Sequence, residues 1–398
     1  MRYAVIANLA AVILVIAGPA GPLCADPPRS STVINAAEAG GLQAALDALP
    51  KSGGTVYLPA GRYLFAKPVV KKLEEGQHLY LVGEGRATVL VNENRQGQEL
   101  LRIVGAVGQW WPDLKITIRD LTLVGNHQSG DALVVEFPND TMIDGCFFYG
   151  HGGKAIYLKT QGTNVTCRDC WMRDCRRAVY AENIHHLTLH GNQTRSVKDG
   201  LQQAEQIYLD RNCREVRVVN NHLAYGQNEG ILLDGTAQHT IVGNTIEGFR
   251  IGVLARHNKE RDCRDITVSS NYFRSGCAIR LEGKCNGFVI GNNIITDTEG
   301  GAAVIAGAEG SGAHAITGNV IRKSVYKGQG GVNLGDSQGC TVVGNVFEEI
   351  IAPAISAGPG GGKHVISSNN FTKAAGQPIV VDQVPDCLVT NNRVPPAN

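Results

Sequence analysis

The stretch "NEGILLDGTAQHTIVGNTIEGFRIGVLARHN" (residues 228–258) says one thing twice. Gly230-Ile-Leu-Leu-Asp234 returns as Gly252-Val-Leu-Ala-Arg256, and Val242-Gly243-Asn244 repeats Val219-Asn220-Asn221 just upstream. The asparagine and the apolar beats stay fixed, while the slot after each beat swings from Asp to Arg. A slot that accepts either charge lies where burial imposes nothing.

Extended in both directions, the asparagine beat falls on Asn192, Asn221, Asn244, Asn271, Asn292, Asn319, Asn345, Asn369 and Asn392, with Cys170, Cys146 and Asp120 in the same slot upstream. The spacing averages about 25 residues, inside the window that marks solenoids and repeat arrays. Within a repeat, three short apolar segments recur, as in Ile231–Leu233, Thr240–Val242 and Thr245–Glu247, with the asparagine between the second and third. They are too short for helices and alternate inward and outward, so they predict strands. Strands that run the same way once per turn stack into parallel sheets. Stacked asparagines can bond to one another and to the bend backbone, which predicts a corner role for this slot.

A chain of 398 residues would ordinarily hold two or three domains, but a repeat array makes one solenoid of the same length. Residues 1–25 predict an export leader: Arg2 precedes the apolar run 4–18, too short to span a bilayer, and Ala25 offers a small residue for cleavage. The mature protein is then expected to be secreted, periplasmic or on the cell surface, with no membrane span. Residues 26–115 are expected to form an N-terminal cap and the first coils, and 116–398 the repeat coils of the same domain. Leu42, Ala45, Leu46 and Leu49 have helical spacing before Pro50, which predicts a short helix lying over the open end of the core.

Charge is balanced, 37 Lys and Arg against 36 Asp and Glu, which argues against a nucleic-acid binder. The last residues, Val394-Pro-Pro-Ala-Asn398, supply no evident cap, leaving a frayed turn or an oligomer contact open. Cys167-Arg-Asp-Cys170 has metal-like spacing without a second ligand pair, so the cysteines read as small buried residues or one disulfide.

With this asparagine register from Ile116 to Val394, and with the openings "SGGTVYLPAGRYLF" (52–65) and "LYLVGEGRATVLV" (79–91), the chain resembles the right-handed parallel β-helix family, the pectate-lyase-like superfamily. The resemblance implies an all-β right-handed parallel β-helix, here of about 11–12 coils with an N-terminal capping helix. It also implies a polysaccharide groove on the face of the first sheet and the loops leading into it.

That face can be read from the register. Its outward slot holds Glu136, Lys159, Glu182, Asp210, Asp234, Arg256 and Glu282 on successive turns, then Gly307, Gly335 and Gly358. Two residues earlier stand Tyr157, Tyr180 and Tyr208, then Leu232, Leu254 and Arg280. Cross-strand pairs that keep a sheet face soluble add about 0.2–1 kcal/mol each and account for much of such a pattern. They do not account for Glu182, Asp210 and Asp234, like charges on consecutive strands that repel unless a cation lies among them.

A groove for an acidic polysaccharide fits this mixture. The faces of Tyr157, Tyr180 and Tyr208 would meet sugar C–H groups. Arg177 and Lys198 in adjoining loops would pair with uronate carboxylates, with Glu229 beside them. For β-elimination, Glu182, Asp199, Asp210 and Asp234 could hold Ca²⁺, and the resemblance implies Lys or Arg as base, hence Arg256, Arg280 or Lys159. A glycoside hydrolase is the alternative, with Asp210 and Asp234 at the ~5–5.5 Å of retaining enzymes, or Glu182 and Asp234 at the ~6.5–9.5 Å of inverting ones. Gly150-His151-Gly152 resembles a polygalacturonase motif, but that family's companion motifs are absent and the order is wrong. A non-catalytic glycan-binding or structural solenoid is the third reading.

Overall fold

The structure, a computed structural model, describes residues 32–107, 112–196, 204–324, 330–351, 353–373, 376–381 and 383–394. The expected leader, residues 1–25, lies outside the described residues. Three parallel sheets of 15, 13 and 13 strands wind into a right-handed solenoid of about 14 turns. In each turn the chain passes from the first sheet (Glu229–Asp234, for instance) to the second (Thr240–Val242) and then the third (Thr245–Glu247). All the strand pairs are parallel and join one turn to the next, as for Ile231 with Val253 and Ile241 with Val268.

The fold class is the expected one, with more turns than the asparagine count gave. The added turns lie before residue 116, where Gly53–Tyr57 and His78–Val82 form the second-sheet strands. Their ladder corner carries no asparagine, so the count missed them.

The asparagines are a continuous hydrogen-bonded ladder. From Asn192 to Asn369, each Nδ2 donates to the Oδ1 of the asparagine one turn on, at 2.9–3.0 Å. The same Oδ1 accepts from the backbone N–H of that donor asparagine, as from Asn244 to Asn271 at 2.9 Å. The second Nδ2 hydrogen goes to a backbone carbonyl one turn back, such as Val218 from Asn244 at 2.8 Å. Every donor and acceptor of these buried amides is thus used.

Two of the expected ladder positions are corrected. Asn293, not Asn292, receives the bonds of Asn271 and passes them to Asn319, and Leu121, not Asp120, precedes the strand in register with Cys146's. Asp120 and Asn292 sit one residue earlier with φ of 56° and 55°, in a left-handed corner column shared by Asp169, Asn220 and Ser270. Short polar side chains are the L-residues that best tolerate that conformation. Glycine takes other positions of the column, among them Gly243, where a Cβ would lie 2.3 Å from Asn220 Oδ1. Two adjacent columns therefore both favour Asn, for different reasons.

The cap helix forms at Leu42–Asp47, with Leu42, Ala45 and Leu46 buried against the core. Its Gln43 side chain bonds both backbone groups of Val70 at 2.9 Å, satisfying the first sheet's edge strand. The ten cysteines from Cys146 to Cys387 are free in this structure, and all but Cys387 are buried, in keeping with the reading of small core residues. Among the described residues, no helix is long and apolar enough to cross a membrane.

Asn293→Ala would strand the Asn271 amide donors and the Val268 carbonyl in a buried corner, at about 1–3 kcal/mol per group. Asn292→Gly next to it should be close to neutral, since φ at 292 suits glycine. Urea unfolding of the two variants tests the ladder register directly.

Burial pushes the histidines His151 and His314 down to about 4 and His239 to about 3. The unfolded chain protonates them near 6.5, so between those values it holds more protons than the folded chain. Stability should fall as pH drops from about 6.5, by up to about 1.4 kcal/mol per unit for each histidine, with the contributions of His151 and His314 levelling off near 4 and that of His239 near 3. Unfolding midpoints across this range measure the effect.

Candidate active site on the first sheet

The outward column is one aligned row. Direct strand partners are Glu136 with Lys159, Glu182 with Asp210, Asp210 with Asp234, Asp234 with Arg256, and Arg256 with Glu282. Beside it, Tyr157, Tyr180, Tyr208, Leu232, Leu254 and Arg280 are likewise in register. The charge ends at Gly307 for lack of room: a Cβ there would lie 2.8 Å from the Gly335 backbone, and one at Gly335 2.4 Å from Gly307 O.

The like charges are held by tyrosines. Each hydroxyl donates to the acid one turn on: Tyr157 to Glu182 at 2.9 Å, Tyr180 to Asp210 at 2.5 Å and Tyr208 to Asp234 at 2.9 Å. Burial, then the bond to the acid, pushes all three phenols well above their ordinary pKa, so they stay protonated donors. Arg211 pairs with Glu182 at 2.6 Å, and its backbone N–H donates to Asp210 at 2.7 Å. Among the described residues no group of three His, Cys, Asp or Glu side chains could hold a metal ion. Glu182, Asp210 and Asp234 by themselves do not make up such a group, and the fourth expected calcium ligand, Asp199, lies outside the described residues.

The tyrosine faces are also occupied. Tyr157 and Tyr180 stack at 4.9 Å and 11°, and Tyr180 and Tyr208 at 4.9 Å and 29°, so a sugar would meet ring edges and hydroxyls. Lys154 lies 4.2 Å from the Tyr157 centroid, and Arg177 5.0 Å from that of Tyr208 while pairing with Glu205. Glu229, expected at the substrate, is buried and paired with Arg250. Lys198 lies outside the described residues. Beyond Tyr208 the face turns apolar, where Leu232, Leu254, Ile251 and Cys277 form a small outer core.

Asp234 is where burial and charge meet. It is 6% exposed, and its Oδ2 accepts from Tyr208 and from Arg256 Nε at 2.9 Å and Nη2 at 2.6 Å. Its Oδ1 is buried with no hydrogen-bond partner. Burial pulls the Arg256 pKa down, but the bond and charge of Asp234 outweigh it and hold the guanidinium above its ordinary value. That suits Arg256 to bind a carboxylate and not to remove a proton, against the expectation that it is the base.

The other two expected bases are also ion-paired, Lys159 with Glu136 at 2.9 Å and Arg280 with Glu282 at 2.7 Å. His151 of the Gly-His-Gly stretch is wholly buried, far from any role as a solvent-facing proton carrier. Sequence reading missed Arg211. Its signal was its place directly after the acid slot, at φ 56°.

Arg256→Met should cost about 2 kcal/mol or more by leaving Asp234 unpaired, below the ~3–5 of a fully buried pair because the Arg256 side chain is 42% exposed. Asp234→Asn in the same chain should recover much of the loss. A double-mutant cycle by chemical denaturation checks both.

The solenoid is similar to the mannuronan C-5 epimerase AlgE6 A-module of Azotobacter vinelandii at TM-score 0.61 and 17% identity, covering 92% of this chain and 100% of that one. It is also similar to DFA-IIIase from Arthrobacter chlorophenolicus A6 without its lid, at TM-score 0.59 and 13% identity, covering 85% and 89%. At such identities the likeness is one of fold. Comparison with curated proteins finds no sequence match. The sequence pattern described as "Right handed beta helix region" matches residues 105–273 and 240–394, so the chain that this ladder builds belongs to the right-handed β-helix family.

Proposed function

We propose that the chain is an exported carbohydrate-active enzyme that holds an acidic polysaccharide along the first sheet and cleaves it by β-elimination at Tyr208, Asp234 and Arg256. One observation carries the reading: Asp234 is sealed beneath a tyrosine hydroxyl and a guanidinium, with one carboxylate oxygen left unbonded.

Elimination beside a uronate needs a neutralised carboxylate, an acceptor for the α-proton and a proton for the leaving oxygen. Arg256 turns from Asp234 to the substrate carboxylate, which it can grip bidentately. Asp234 Oδ2, freed of the guanidinium, accepts the α-proton, while the C–H electron pair forms the double bond and the glycosidic C–O bond breaks. The departing oxygen takes the proton of Tyr208, and protonated Asp234 restores it through their hydrogen bond. All groups return to their starting state.

The epimerase module named above acts, by its name, at C-5 of mannuronan, the kind of carbon from which this reading removes a proton. Hydrolysis by two carboxylates requires one to hold a proton. Glu182, Asp210 and Asp234 each already have one oxygen taken by a tyrosine hydroxyl.

The test is incubation with alginate, polygalacturonate and related uronate polymers in D₂O, with and without chelator. Ultraviolet absorbance from an unsaturated product is expected, reduced at least ~100-fold in Asp234→Asn, the scale of general acid–base catalysis. Deuterium at C-5 with inverted configuration and no cleavage would make the enzyme an epimerase on the same centre. New reducing ends without absorbance would replace elimination by hydrolysis, and retention without turnover would leave a binding protein.

A further inference from the structure

The tyrosine column does not begin at Tyr157. Upstream, the same outward positions are Val134, Arg102 and Val70, each a direct strand partner of the next. Arg102 stands four strands before Tyr208, about 19 Å along the axis at about 4.8 Å per strand. There the face opens into a cavity of about 810 Å³ whose walls include Lys67, Glu93, Arg95, Gln96, Glu99 and Arg102.

The loop that forms this wall is tightly bonded. Asn94 Oδ1 accepts from the backbone N–H of Gln96 at 2.7 Å and of Gln98 at 3.2 Å, and its Nδ2 donates to Gln98 Oε1 at 2.8 Å. Asn92 Nδ2 holds Gln98 O at 3.0 Å, and Asn126 Nδ2 in the next turn donates to Asn92 O and Asn94 O, both at 3.0 Å. A loop so fixed loses little freedom when a ligand arrives.

Its charges are unevenly used. Glu99 is taken by Arg102 at 2.6 Å, and Arg102 also reaches Glu136 at 3.5 Å. Among the described residues, Lys67 and Arg95 have no ion pair, and of the wall acids only Glu93 is likewise unpaired. Two free cations against one free acid, on a rigid wall that shares Arg102 with the first sheet, favour an anionic group.

We propose that this cavity is an anchoring subsite for a uronate carboxylate of the same polysaccharide chain, several sugars from the reaction centre, with Lys67 and Arg95 as its ligands. The inference rests on the acidic-glycan reading above. The subsite makes affinity depend on chain length, because only an oligomer long enough to span both positions gains the second contact.

Calorimetric titration with trimers and with oligomers of about ten units, from alginate and from polygalacturonate, tests this on the full chain. For the wild type, the long oligomer of the preferred polymer should bind at least about tenfold tighter than its trimer, equivalent to about 1.4 kcal/mol. Lys67→Ala/Arg95→Ala and, separately, Arg95→Glu should abolish that gain and leave trimer binding unchanged. Both positions are exposed, and a wild-type melting profile for each variant excludes misfolding. If the variants keep the full length dependence, the subsite is refuted while the proposed function stands. If no uronate oligomer of either length binds the wild type, the proposed function fails and the subsite with it.

Discussion

Each buried ladder asparagine carries two N–H donors and a carbonyl into a corner that water does not reach, and the asparagines one turn to either side together with a backbone carbonyl use them all. Placing the amide there costs free energy unless every group is bonded. Once bonded, it permits one stagger between turns, because a shift by one residue would leave several groups unpaired. The ladder from Asn192 to Asn392 thus fixes the register of the sheets beside it. From Glu182 onward, the alignment of the charged row on the outer face goes with that buried chain of bonds.

The outer face solves a problem that this alignment creates. Parallel stacking places Glu182, Asp210 and Asp234 one above another, a strand spacing apart. A row of tyrosine hydroxyls offset by one turn supplies each acid with a donor, while the rings stack on one another and fill the space between strands. The row ends at Tyr208, where Leu232 and Leu254 make the face apolar. Asp234 is consequently the acid of this row with the least water and the most donors on one oxygen.

The same arrangement explains why the two ends of the face differ. Upstream of Tyr157 the outward positions are Val134, Arg102 and Val70, flanked by a long amide-bonded loop that leaves a cavity. Downstream of Glu282 the turns close in until no Cβ fits at Gly307 or Gly335. A long polymer laid along the sheet would therefore find charged, open ground toward the N-terminal end and a bare backbone surface toward the other.

The repeat length, the strand periods and the alternation of side chains were legible because they are local and recur many times, and the row from Glu136 to Glu282 followed by counting. Asn292 was misplaced because Asn is favoured both in the buried ladder and in the left-handed corner beside it, and a string of letters does not separate two adjacent columns with the same preference. Which groups bond across turns was not legible either. Whether Tyr208 reaches Asp234, whether Arg256 clamps it, and whether a tyrosine face is open or stacked depend on side-chain directions between strands over twenty residues apart. The sequence by itself determined the winding and the alignment, because both follow from periodicity. The tertiary structure alone decided which aligned charges are neutralised and which oxygen is left without a partner, because pairing depends on distances between turns.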